Sequence, residues 1–135
     1  MHITASCISL NVPDPRASAD FAIRHLGFAE HNSADGFIAL SRADAGFDLV
    51  FLRTGLGSFK PARIAGRAGE GLLVAFVVDD IDAEYARLRA AGAPIETPIE
   101  TEEWGERYFQ LTDPNGIVLQ LVQWVSGPEG AGPEH

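Results

Sequence analysis

The spacing of hydrophobic positions changes several times along the chain, and each change marks an element. Residues 3–10 alternate loosely and predict a first strand, ending before Asn11-Val12-Pro13-Asp14-Pro15. Asp14 is a suitable N-cap, and Pro15 stands at the first helical position, where its missing N–H costs nothing. Ala17, Phe21, Ala22 and Leu26 then recur at helical spacing, and Gly27 supplies the residue that closes the helix. Short strands are expected at 28–32, 37–42 and 47–53, with turns at 33–36 and 43–46. The pattern breaks at 54–71, which holds five glycines, a proline and the cations Lys60, Arg63 and Arg67. This stretch reads as an exposed linker, with a lid or a dimer contact as its two possible uses. Periodicity resumes with a strand at 72–79. A helix follows, capped by Asp80, with the stripe Ile81, Tyr85, Leu88 and Ala91 and an end at Gly92. Three strands at 95–101, 108–112 and 117–124 complete the pattern. Residues 126–135, rich in glycine, proline and glutamate, are expected to be a disordered tail.

The order repeats. Val12-Pro13-Asp14 before the first helix matches Val78-Asp79-Asp80 before the second, an offset of 66 residues. The chain therefore predicts an α+β fold of two βαβββ modules, 1–53 and 72–125, within one structural domain. Each half is too small to bury much alone, so the two sheets are expected to combine. A ferredoxin-like βαββαβ domain is the competing arrangement. It needs fewer strands between the helices than the pattern supplies.

The last two strands are joined by Asp113-Pro114-Asn115-Gly116. Pro114 pre-sets φ for the first turn position, Asn115 suits the second, and Gly116 tolerates positive φ. This hairpin resembles the signature of the vicinal oxygen chelate superfamily, which includes glyoxalase I, extradiol dioxygenases, fosfomycin-modifying enzymes and bleomycin-resistance proteins. The resemblance covers residues 3–124. It implies a curved eight-stranded cup with the helices outside, and metal ligands on the first and last strand of each module. In the metal-binding members the last strand carries a glutamate four residues after the turn glycine, and here that residue is Gln120. The pattern His-x-x-Leu-x-Val becomes Cys7-Ile8-Ser9-Leu10-Asn11-Val12, which puts Cys7 in place of the first histidine. The repeat offset leads to Leu73 for the second, and the fourth position falls at Asp48 or Val50. Leucine cannot coordinate a metal and a neutral amide is a weak donor, so the substitutions imply no metal and no cofactor.

Composition narrows the partners. A net charge of -9 argues against nucleic acid, and the acidic balance serves solubility while remaining compatible with a cationic ligand. No apolar run is long enough to span a membrane and the N-terminus lacks a signal-peptide pattern, so a cytoplasmic location is expected. A single cysteine excludes an intramolecular disulfide and a multi-cysteine metal site. Cys7 reads as a small buried apolar residue rather than a nucleophile. His2, His25, His31 and His135 fall away from the expected ligand positions. Asp79 and Asp80 read as a helix cap. Glu100, Glu102 and Glu103 read as a solvated hairpin end, with Arg107 pairing to one of them.

Strand alternation predicts which residues share a face. If Gln120 points into the cup, Val118, Val122 and Trp124 share its side while Leu119 and Leu121 pack under the helix. On the partner strand Tyr108, Gln110 and Thr112 then face the cup, and Phe109 and Leu111 face the helix. Cys7 and Ser9 join from the first strand of one module, Leu73 and Ala75 from that of the other. Trp104, Phe37 and Phe51 are candidate aromatic contacts, and Trp104 serves equally as a lid or a dimer contact. A lining that is apolar with a few neutral hydrogen-bonding groups suits an aromatic or amphipathic small molecule. The favoured reading is a metal-free, non-catalytic binding protein, similar to the bleomycin-resistance branch and so to antibiotic resistance, acting as a homodimer. The alternative is a metal-dependent lyase, isomerase or dioxygenase of the glyoxalase type, with Asp48 and His25 or His31 as ligands.

Overall fold

The structure, a computed structural model, describes residues 1–57 and 62–125. The expected tail at 126–135 and residues 58–61 of the expected linker lie outside the described residues. The chain divides into two compact units, Met1–Gly71 and a second from Leu72 onward. Each is a βαβββ module with one mixed four-stranded open sheet and one helix.

The first unit runs β1 (Cys7–Val12), α1 (Pro15–Leu26), β2 (Ala29–Ala34), β3 (Phe37–Ser41) and β4 (Asp48–Arg53). Its sheet order is β1-β4-β3-β2, with β1 parallel to β4 and the other pairs antiparallel. The Asp14 side chain accepts from Ala17 N at 3.2 Å, capping α1 as expected. Gly27 then turns left-handed at φ 72°, and Arg42 donates to the freed Leu26 carbonyl at 2.6 Å. A side chain at Gly27 would collide with that guanidinium as well as strain the backbone. Leu10, Leu40, Leu49 and Phe51 form the core under Phe21 and Leu26 of α1. Residues 62–71, expected to be an exposed linker, belong to this unit. Asn11 Nδ2 donates to the carbonyls of Ile64 and Gly66 at 2.8 and 2.7 Å, holding a short 3-10 turn at Ala62–Ile64.

The second unit runs β5 (Leu73–Val77), α2 (Ile81–Ala90), β6 (Ile95–Thr101), β7 (Glu106–Thr112) and β8 (Val118–Trp124), in sheet order β5-β8-β7-β6. Again the first and last strands pair in parallel. Asp80 caps α2 through Ala83 N at 3.1 Å, and Gln123 Oε1 accepts from Ile81 N at 3.0 Å, fastening the helix start to β8. The core is Phe109, Leu111, Leu119 and Leu121 against Ile81 and Leu88, all at most 3% exposed. Tyr85 meets Phe109 edge-on at 5.0 Å.

Some boundaries move. The first strand begins at Cys7 rather than residue 3, because pairing with β4 starts where Cys7 lies opposite Asp48. β7 begins at Glu106, two residues earlier than expected, because it pairs back as far as Trp124. Ala91 is exposed and only caps α2, so it drops out of the expected stripe. Among the described residues no helix is long and apolar enough to cross a membrane.

Since Phe109 is fully buried and touches Tyr85, Phe109→Ala should lower unfolding stability by about 3–5 kcal/mol. Leu73→Ala, at a residue 45% exposed, should change it by only about 0.5 kcal/mol. Urea denaturation of the two variants checks the ranking.

Candidate functional site

The face of the second sheet turned away from α2 carries a connected set of polar side chains. Register places Gln110 of β7 directly opposite Gln120 of β8, and Gln120 beside Ala75 of β5. Gln110 Nε2 donates to Gln120 Oε1 at 2.9 Å, and Gln120 Nε2 donates to Glu106 Oε2 at 3.1 Å. The other Glu106 oxygen accepts the Trp104 indole N–H at 3.1 Å. Gln120 is only 6% exposed, so both ends of its amide need these partners. Val118, Val122, Tyr108 and Thr112 share the face by alternation and Trp124 lies at its end, as the sequence predicts.

Next to this set, the Tyr108 hydroxyl donates to Glu102 Oε2 at 2.7 Å. That hydrogen bond, with desolvation and the nearby charges of Glu102, Glu100 and Glu106, pushes the phenol up to about 12. Glu102 is therefore a partner of Tyr108 and not simply part of a solvated hairpin end. The expected pairing of Arg107 with one of these glutamates also needs correction. Arg107 reaches Asp82 at the start of α2 at 2.8 Å and Thr101 Oγ1 at 2.7 Å. The hydrogen bond to Arg107 holds the Asp82 carboxyl below its ordinary value. Odd positions of β7 face α2, so Arg107 is drawn to the helix while Glu102 goes with Tyr108, at an even position on the other side.

In the first unit the corresponding face carries Cys7 and Ser9 of β1, beside Asp48 and Val50 of β4, with Ala39 of β3 opposite Val50 and Phe37 opposite Leu52. Ser9 stands to Val50 as Ala75 stands to Gln120, which fixes Val50 as the counterpart of Gln120. Two sequence expectations fail here. Phe51 is 3% exposed on the α1 side, because its neighbours in register, Leu10 and Ile38, are core residues. It cannot line a site on the opposite face. Cys7 is exposed rather than buried, since it starts an edge strand on the side without a helix. Leu73 and Ala75 are likewise exposed on the edge strand β5.

The four positions to which the family resemblance leads for metal are thus Cys7, Val50, Leu73 and Gln120. One thiol, one engaged amide and two hydrocarbons do not make a donor set for a divalent cation. Among the described residues no group of three or more His, Cys, Asp or Glu side chains is placed to hold a metal ion. His25 is buried on α1, edge-on to Phe21 at 4.8 Å. His31 does meet Asp48, with Nε2 3.4 Å from the carboxylate.

A cavity of about 280 Å³ lies elsewhere in the first unit, between the start of α1 and the β2–β3 turn. Phe37 is the only expected site residue that borders it. Its arginines are engaged, Arg53 with Asp35 at 3.2 Å and Arg16 with Glu30 at 3.1 Å.

Glu106 is the residue that sequence reasoning missed. Its signal was available: it precedes Tyr108 and Gln110 at the same strand parity, and starting β7 two residues earlier would have put it on their face.

A repeated βαβββ module whose first and last strands pair in parallel defines a glyoxalase-like chain. The chain belongs to the Glyoxalase/Bleomycin resistance protein/Dioxygenase superfamily, whose family model matches residues 2–121. A glyoxalase/bleomycin resistance protein/dioxygenase from Nocardioides superposes with a TM-score of 0.78 at 25% identity, over 100% of this chain and 90% of that one. TnmS3, described as an antibiotic binding protein from Streptomyces sp. CB03234, superposes with a TM-score of 0.68 at 26% identity, over 91% and 98% of the two chains. An uncharacterized protein of Mycobacterium bovis is 38% identical over 57 residues, a match spanning 42% of this chain and 38% of that relative's length.

The Tyr108 hydroxyl should titrate far above an ordinary tyrosine. In a Tyr85→Phe background, where Tyr108 is the sole tyrosine, phenolate absorbance should rise with a midpoint of about 12, and Glu102→Gln should bring it back toward 10.0. Because the folded value is the raised one, the contribution of this contact to stability is complete below pH 10.0 and is lost as pH rises through about 12.

Proposed function

We propose that this chain binds a small aromatic or amphipathic molecule without a metal or a catalytic group, and so sequesters a drug or metabolite. The observation that carries this reading is the state of Gln120. At the position where metal-binding relatives are expected to carry a glutamate, a buried neutral amide is tied at both ends to Gln110 and Glu106. A group engaged in this way serves hydrogen bonding, and a neutral amide is a weaker cation donor than the carboxylate expected there. Leu73 and Val50 at the corresponding positions supply only hydrocarbon. The likeness to TnmS3, described as an antibiotic binding protein, supports a binding role.

The ligand rests on the second sheet with Tyr108 and Trp104 as its aromatic contacts and Gln110 and Gln120 at its polar edge. Leu73 and Ala75 supply apolar surface on that sheet. Offset stacking on such rings is worth about 0.5–1.5 kcal/mol per contact beyond burial. Trp104 is 55% exposed, so a ligand stacked on it should quench its fluorescence. Trp104→Phe should weaken binding of planar aromatic compounds about three- to ten-fold and abolish most of the quenching. Unchanged affinity and quenching across a panel of such compounds would remove the pocket from this face.

A second reading rests on the His31–Asp48 contact, an imidazole–carboxylate pair on the first sheet. It makes the chain a metal-dependent glyoxalase-type lyase, isomerase or dioxygenase. After equilibration with Zn, Ni, Mn or Fe, the binding reading expects no stoichiometric metal. One-to-one metal that disappears in His31→Ala or Asp48→Ala would favour the enzyme.

A further inference from the structure

The polar line on the second sheet has a direction, and Glu106 sets it. A carboxylate accepts hydrogen bonds and cannot donate them. One Glu106 oxygen takes the Trp104 indole N–H and the other takes Gln120 Nε2, both at 3.1 Å. Gln120 must therefore turn its amino group toward Glu106. Its carbonyl then points the other way, and at 6% exposure it cannot rely on water, so it needs a donor. Gln110 supplies that donor from Nε2 at 2.9 Å. The sense of the second amide is thereby fixed as well, because rotating it would set two carbonyl oxygens against each other. The backbone N–H of Gln110 is held separately by Thr97 Oγ1 at 3.1 Å, so the strand beneath does not shift to compensate. Gln110 is half-buried, and its Oε1 has no protein partner among the described residues.

We propose that Glu106 is a positioning residue which, through Gln120, orients the Gln110 carbonyl as a fixed acceptor and so selects ligands bearing an N–H or O–H donor at their polar edge. This rests on the reading that an aromatic molecule binds this face, and adds the chemical class that binds best: neutral or cationic planar donors, not carboxylates or other acceptor-only compounds. The charge around the line agrees. Glu102 and Glu106 lie within hydrogen-bond reach of the aromatic side chains, and an anion brought to Gln110 would meet their charge while Arg107 is occupied by Asp82 across the sheet.

The test uses three bicyclic probes of similar shape: 1-aminonaphthalene, a donor; 1-methylnaphthalene, its apolar isostere; and quinoline N-oxide, an acceptor. Affinities come from NMR titration of the full chain and of Glu106→Gln, whose side chain can either donate or accept. The parent should bind the amine about ten-fold tighter than either other probe, the discrimination of one hydrogen bond. In Glu106→Gln the amine and the N-oxide should converge to within about two-fold while circular dichroism stays unchanged, a change of preference that simple loss of packing would not produce. Without any ligand, the side-chain amide resonances of both Gln120 and Gln110 should move in Glu106→Gln. Equal binding of amine and isostere by the parent, or Gln110 resonances indifferent to residue 106, overturns this proposal and leaves the aromatic-binding reading standing. Failure of the parent to bind any of the three probes overturns that reading, and this proposal with it.

Discussion

The register of the β7–β8 hairpin is the constraint on which the second unit depends. Side chains alternate sides with a period of two, so a slip of one residue would carry Leu119 and Leu121 out of the core and drive Gln120 toward α2. The turn prevents this. Asp113 Oδ1 accepts from the backbone N–H groups of Asn115 and Ile117, both at 2.9 Å, and Gly116 N returns to Asp113 O at 2.9 Å. Gly116 sits at φ 87°, which an L-residue seldom adopts. One carboxylate and one glycine thus fix which of the seven residues of β8 meet the helix and which meet the polar face.

The same register decides what the polar face can do. It sets Gln110 opposite Gln120, close enough for a direct amide–amide bond, and leaves Glu106 within reach of the far end of Gln120. A buried primary amide has donors and an acceptor to satisfy, and meeting them within the protein removes freedom from every member of the line. The arrangement is rigid because it is nearly saturated, and it is polar without placing a full charge in its buried part.

The two modules share geometry and differ in chemistry. Parallel pairing of first and last strands recurs, so Cys7 corresponds to Leu73, Ser9 to Ala75, Val50 to Gln120 and Ala39 to Gln110. The amide line therefore exists only in the second unit, where the first has alanine and valine. The first unit carries instead an exposed His31–Asp48 contact near the beginning of β4. Repetition supplies a scaffold twice, while the side chains give an amide line to the second sheet only.

The sequence by itself determined the elements and the faces. The N-caps Asp14 and Asp80, Gly27 after the first helix and Gly116 in the last turn act within a few residues, so their effects can be read locally. The alternation of Phe109, Leu111, Leu119 and Leu121 is likewise a property of the chain and assigned the core side of the second sheet correctly. Tertiary structure decided what depends on which strands become neighbours. Phe51 reads as a candidate aromatic contact by residue type, yet its pairing with Leu10 and Ile38 puts it in the core. Cys7 reads as buried by residue type, yet it begins an edge strand and is exposed. Arg107 could have met several acids, and the packing of α2 on the sheet chose Asp82. Glu106 acquires its role only because Gln120, 14 residues away in sequence, is brought alongside it by the hairpin. Hydrogen bonds between side chains on different strands require a register and a rotamer together, and no local pattern of residues encodes both.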